Sequence, residues 1–110
     1  MPLISIQRGS PLGLHIAACV NGNMNYNYNS NTDPNFVDHN GMIKGKWYRI
    51  EVGQRRDDGK FVFFIIINDQ TLMETVNNQP EDYTNMIVQG EFFKKNFTST
   101  LGKVKLLFFN

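Results

Sequence analysis

Along most of this chain apolar and polar residues alternate with a period of two. Residues 3–7 read as a short strand, stopped by Arg8, Gly9, Ser10 and Pro11, and residues 13–20 as a second, mostly buried run. Every odd position from 21 to 31 is asparagine, interleaved with Gly22, Met24, Tyr26, Tyr28 and Ser30. Successive side chains of a strand point to opposite faces, so this stretch carries one face of amides and another of Met24, Tyr26 and Tyr28. Residues 29–45, rich in Asn, Asp, Pro and Gly, read as a loop. Alternation resumes over residues 46–54, with Tyr48, Ile50 and Val52 on one face and Trp47, Arg49 and Glu51 on the other. Asp57-Asp58-Gly59 predicts a hairpin into residues 60–68, a continuous Phe/Ile run expected to be buried on both faces. Asn68-Asp69-Gln70 predicts a second hairpin into residues 71–76, and residues 77–80 break the chain. Residues 85–89 and 103–109 read as the last strands, joined by a long connection over residues 91–101. The alternation places Ile50, Val52, Phe63, Ile65, Ile67 and Leu107 in the core.

Seven or eight short strands with Gly, Asn and Pro turns, and no amphipathic helix, predict an all-β sandwich or barrel. At 110 residues the chain is read as a single domain over residues 1–110. With 41% hydrophobic residues it can bury a core. A net charge of +1 speaks against nucleic acid as a partner, because such binders cluster basic excess. No apolar run approaches the roughly 18 residues that span a bilayer, so no membrane insertion is expected. Cys19 is the lone cysteine, which excludes an internal disulfide and any cysteine-based zinc site. Residues 1–20 carry no signal-peptide pattern, so a secreted form would have its signal upstream.

The sequence resembles the laminin-G-like branch of the concanavalin A-like lectin superfamily. The matching elements are Leu14-His15-Ile16, the Val20-Asn21-Gly22-Asn23 turn, Lys46-Trp47-Tyr48-Arg49-Ile50-Glu51-Val52, and the hairpin from Gly59-Lys60 to Ile67-Asn68. The break at Val76-Asn77-Asn78-Gln79-Pro80 and the closing Gly102-Lys103-Val104 strand complete the series, which covers about residues 13 to 109. The resemblance implies an antiparallel jelly-roll sandwich. It also implies missing N-terminal strands, since such domains have further strands before the first match. A sheet left short in this way is expected to self-associate, through residues 1–7 folding back or swapping, or through the residue 21–31 strand. Asn68-Asp69-Gln70 departs from the Asn-Gly often found at that hairpin, at little cost.

No catalytic residue is expected. Hydrolases of the resembled superfamily carry a Glu-x-Asp strand, and none is present: Glu51 and Glu74 each stand alone, while Asp57-Asp58 and Glu81-Asp82 are adjacent pairs at turns. No cofactor is required. Calcium is the one candidate metal, because Asp33, Asn35, Asp38 and Asn40 place hard oxygen donors in one loop. Asp and Asn also populate loops simply because they make turns. The asparagine row can be a solvated strand face, an edge for chain-to-chain assembly, or a glycan surface. In the last reading Asn23, Asn25 and Asn27 offer donors and acceptors to sugar hydroxyls, and Tyr26, Tyr28 or Trp47 stack on a sugar ring. Trp47 at a strand start is more often a packing residue than a ligand contact. Asn96-Phe97-Thr98 is an N-glycosylation acceptor pattern, of a kind that fourteen asparagines also produce by chance.

The expectation is therefore a non-catalytic extracellular recognition or adhesion module whose partner is a glycan or an extracellular protein. The alternatives are a structural subunit assembling through edge strands and a galectin-type lectin. His15 is followed by Ile16-Ala17-Ala18, so the His-x-Asn-Pro-Arg cluster of galectins is absent.

Overall fold

The computed structural model describes residues 4–9, 12–80, 86–88, 93–98 and 103–109, with side chains through residue 80. The alternating stretches are strands: β1 (Ile4–Gly9), β2 (Gly13–Val20), β3 (Asn23–Asn29), β4 (Trp47–Asp57), β5 (Lys60–Ile67), β6 (Gln70–Val76), β7 (Met86–Val88), β8 (Phe93–Thr98) and β9 (Lys103–Phe109). Ser30–Thr32 is a single 3-10 turn, and there is no α-helix among the described residues. The protein is all-β. One sheet has the order β3-β2-β1-β7 and the other β6-β5-β4-β9-β8.

Three tight hairpin turns set the register. Asn21-Gly22, Asp58-Gly59 and Asn68-Asp69 each place both central residues at positive φ, between 50° and 75°. This is the turn whose twist matches that of the flanking strands, and Gly, Asn and Asp tolerate it best. The third turn manages without glycine because Asn68 is tied to β4: its N–H donates to the Arg49 carbonyl at 2.8 Å, and its Oδ1 accepts from the Arg49 N–H at 2.8 Å.

The two sheets share one core, as in a sandwich. Ile4, Ile6, Leu14, Ile16, Ala18, Val20 and Tyr28 of the first sheet cluster with Tyr48, Ile50, Val52, Phe63, Ile65 and Ile67 of the second. Five of the six residues expected in the core are there; the sixth, Leu107, has a side chain outside the described residues. β5 is buried on its core face at Phe63, Ile65 and Ile67, and only in part on the other, where Phe64 lies under the Arg55 guanidinium, 5.5 Å from the ring centroid, and Val62 and Ile66 are half-buried. Gly13 is fixed by close approach, since a Cβ there would meet the Asn31 amide at 2.5 Å.

Three features differ from the sequence expectation. The connection over residues 91–101 contains a strand, β8, paired antiparallel with β9. Its Lys94-Lys95-Asn96 centre has neither alternation nor strand propensity, and pairing with β9 overrides this local signal. The pairing is not antiparallel throughout, because β1 lies parallel to β7. Finally, the residue 29–45 loop contributes to the core through Phe36 and Met42, which are 2% and 6% exposed. Loop residues have no period to mark them, so periodicity cannot find these two anchors.

Within the chain, β1 pairs with β2 from Ile4↔Ala18 to Gly9↔Gly13. Among the described residues no helix is long and apolar enough to cross a membrane.

Candidate functional site

β3 lies at the edge of its sheet, paired to β2 alone among the described residues. Its asparagines are all exposed, whereas Met24, Tyr26 and Tyr28 are progressively more enclosed along the opposite face. The two faces are therefore those the alternation predicts. Asn23, Asn25 and Asn27 form a solvent-facing row at successive alternate positions, spaced about 7 Å apart by strand geometry.

The amides that flank Asn25 in this row are not free rotors. Asn23 Oδ1 accepts from the Asn25 backbone N–H at 3.0 Å, and Asn27 Nδ2 donates to the Asn25 carbonyl at 2.7 Å. Asn29 Oδ1 caps the following turn by accepting from the Asn31 N–H at 2.9 Å. One end of each of these amides is thus committed to main chain. An amide has two donors and two acceptor sites, so the other end remains available to a ligand.

The two tyrosines expected to accompany the row face the core instead. Tyr26 packs edge-on against Phe63, with centroids 5.8 Å apart, and its hydroxyl meets Thr75 Oγ1 at 2.8 Å, joining the edge strands β3 and β6 of the two sheets. Tyr28 is buried and donates to Asp33 Oδ2 at 2.9 Å. Burial, then the hydrogen bond and charge of Asp33, holds this hydroxyl well above the ordinary tyrosine pKa. Trp47 stands on β4 in the other sheet and is 52% exposed. Val37 and Ile43, on the loop that leads to it, are exposed as well. The structure unites Asn23, Asn25 and Asn27 and does not bring Tyr26, Tyr28 or Trp47 onto their face.

The two carboxylates among the four oxygen-donor residues of the loop have structural partners. Asp33 Oδ1 accepts from the Asn35 N–H at 3.0 Å, and its Oδ2 is taken by Tyr28. Asp38 Oδ2 accepts from Tyr48 Oη at 2.6 Å and Lys46 Nζ at 2.8 Å. Tyr48 Oη in turn accepts from the Ile43 N–H at 2.9 Å, so Asp38, Tyr48 and Ile43 form a chain of hydrogen bonds across the base of the loop. Burial raises the Asp38 pKa, but the Lys46 and Tyr48 hydrogen bonds and the Lys46 charge outweigh it, and the net shift is downward. Asn35 and Asn40 are exposed. Among the described residues no three His, Cys, Asp or Glu side chains converge. A calcium ion at this loop would have to compete with Lys46 for Asp38. One millimolar calcium, or a chelator, is expected to move the melting temperature by less than about 1 °C in a calorimetric scan, whereas a rise of several degrees would reveal binding to the native state.

A second polar cluster, which sequence reading treats as a mere chain break, closes the end of the sandwich beside β3. Asn77 is 2% exposed. Its Oδ1 accepts from the Asn21 N–H at 3.0 Å and the Gln79 N–H at 3.1 Å, and its Nδ2 donates to Gln54 Oε1 at 3.4 Å. Asn21 answers from the β2–β3 turn: Nδ2 donates to the Val76 carbonyl at 3.1 Å, and Oδ1 accepts from the Asn78 N–H at 2.5 Å. The turn that starts the asparagine strand is thereby latched to the segment that follows β6.

Asn96 lies in β8 by its backbone, and its side chain is outside the described residues. Compared with protein-family models, with curated proteins and with solved structures, the chain finds no match.

Proposed function

We propose that this chain is a non-catalytic extracellular recognition module, a laminin-G-like jelly roll, that binds a glycan on the outer face of β3. The observation that carries the reading is the row of exposed amides at Asn23, Asn25 and Asn27, of which Asn23 and Asn27 are held by bonds to the Asn25 main chain. A sugar presents hydroxyl groups that both donate and accept, and an amide is the neutral side chain that does the same. Side chains already held by main-chain bonds lose less rotamer freedom when a ligand arrives, which favours affinity. The latch at Asn21 and Asn77 and the Tyr26–Thr75 bond fix the strand on which the row is mounted.

The test is a glycan array followed by titration of any ligand found. Asn25→Ala removes a ligand-facing amide while leaving both Asn25 main-chain bonds in place. Asn23→Asp keeps the acceptor for the Asn25 N–H and removes the outward donor. Each is expected to weaken binding about tenfold, equivalent to one hydrogen bond of about 1.4 kcal/mol, with the melting temperature unchanged. Binding that survives both substitutions at full strength would remove β3 as the site.

A further inference from the structure

An edge strand exposes a row of main-chain donors and acceptors that invites a strand from another chain. β3 is such an edge, and its weak point is Asn25. The register with β2 steps from Ala18↔Tyr26 to Val20↔Asn23, so Asn25 has no opposite residue in that ladder. Both of its main-chain groups are nevertheless occupied: the N–H by Asn23 Oδ1 at 3.0 Å, and the carbonyl by Asn27 Nδ2 at 2.7 Å. Farther along, the Asn29 carbonyl accepts from Thr32 Oγ1 at 3.1 Å. An amide is short enough to reach the main chain two residues away, and it carries an acceptor for the N–H and a donor for the carbonyl. At Asn25 the asparagines two residues away on either side therefore cap the strand from both sides.

We propose that the asparagine row closes a latent homodimer edge, and that without it a second copy of this chain would pair with β3 about Asn25. In a two-fold antiparallel contact centred there, the Asn25 N–H and carbonyl of one copy would bond those of the other, extending the β3-β2-β1-β7 sheet across the dimer. The occupant is a second copy because such a contact uses the same two main-chain groups on both sides and needs no other chemistry. Asparagine alternation, which in sequence looks like a ladder that encourages assembly, acts in this fold against it. The inference concerns self-association and stands whether or not a glycan binds the same face.

Sedimentation velocity from about 5 to 200 µM, with circular dichroism as the check on folding, tests this. Asn23→Val with Asn27→Val removes both caps, and its dimer fraction at 200 µM is expected to exceed that of the parent chain at least tenfold. Asn25→Val adds the same kind of apolar side chain but keeps both caps, and is expected to sediment like the parent. Equal dimerisation by Asn25→Val would assign the effect to surface apolarity and overturn the proposal, as would a double variant that matches the parent. Should the double variant lose its fold, amide exchange in the parent chain decides: the Asn25 N–H is expected to exchange at least tenfold more slowly than in an unstructured peptide. Unprotected exchange at Asn25 would overturn the capping itself.

Discussion

Replacing Asn77 by alanine is expected to destabilise the protein by about 2–4 kcal/mol, although the residue belongs to no strand and touches no ligand. The side chain is buried and joins three parts of the chain, the β2–β3 turn, β4 and the segment after β6. Its Oδ1 is the acceptor of two main-chain N–H groups, those of Asn21 and Gln79. Alanine takes that acceptor away, and a buried N–H left unpaired costs about 1–3 kcal/mol. The Asn77 N–H keeps its bond to the Phe61 carbonyl at 2.8 Å, so the backbone path is preserved and the cost is assignable to the amide. For a domain of this size such a loss lowers the melting temperature by roughly 10–20 °C. Asn21→Gly provides the comparison. Glycine accepts the φ of +54° at that position, and the two bonds it deletes are exposed to water, which replaces them. It is expected to cost only about 0.5–1.5 kcal/mol. Thermal unfolding followed by circular dichroism reads both, and an Asn77→Ala melting point within about 2 °C of the parent would show that the latch is dispensable.

This latch also marks where sequence reading stops. β4 and β5 are legible because burial of one or both faces writes itself into the chain as alternation or as a continuous apolar run. Tyr48, Ile50, Val52, Phe63, Ile65 and Ile67 follow directly from that pattern. The amide row is legible for the same reason, since alternate residues share a face whatever their chemistry. The capping of Asn25 is not, because it depends on rotamers and on an edge position that only the sheet order defines. Asn21 and Asn77 are further apart still in sequence, and each alone looks like an ordinary turn residue. Their pairing arises only when the two sheets meet. Tyr26 and Tyr28 illustrate the opposite case: the alternation already separates them from the asparagines, and the fold turns that separation into burial against Phe63 and Asp33.

Stability is expected to fall at both ends of the pH scale through one cluster, the hydrogen-bonded chain of Asp38, Tyr48, Lys46 and Ile43. Asp38 has its pKa lowered by folding, so its contribution is present above the unfolded value of about 4 and is lost as pH falls through the folded value. Tyr48 behaves in the reverse sense. Burial, and then the hydrogen bond to Asp38, pushes its pKa from 10.0 up to about 12. Its contribution is complete below pH 10 and is lost as pH rises from there through about 12. Tyr28, also raised, adds to the alkaline loss in the same direction. Asp38→Ala is expected to cost about 2–3 kcal/mol at pH 7, because Tyr48 Oη and Lys46 Nζ lose a charged acceptor. That deficit against the parent chain shrinks as the solution is acidified below pH 4, where the parent also loses the carboxylate. Tyr48→Phe removes the hydroxyl that joins Asp38 to the Ile43 N–H and should flatten the stability curve between pH 10 and 12. Urea unfolding at a series of pH values measures these differences. A constant gap between parent and Asp38→Ala from pH 7 down to pH 2 would show that Asp38 contributes through packing and not through its charge.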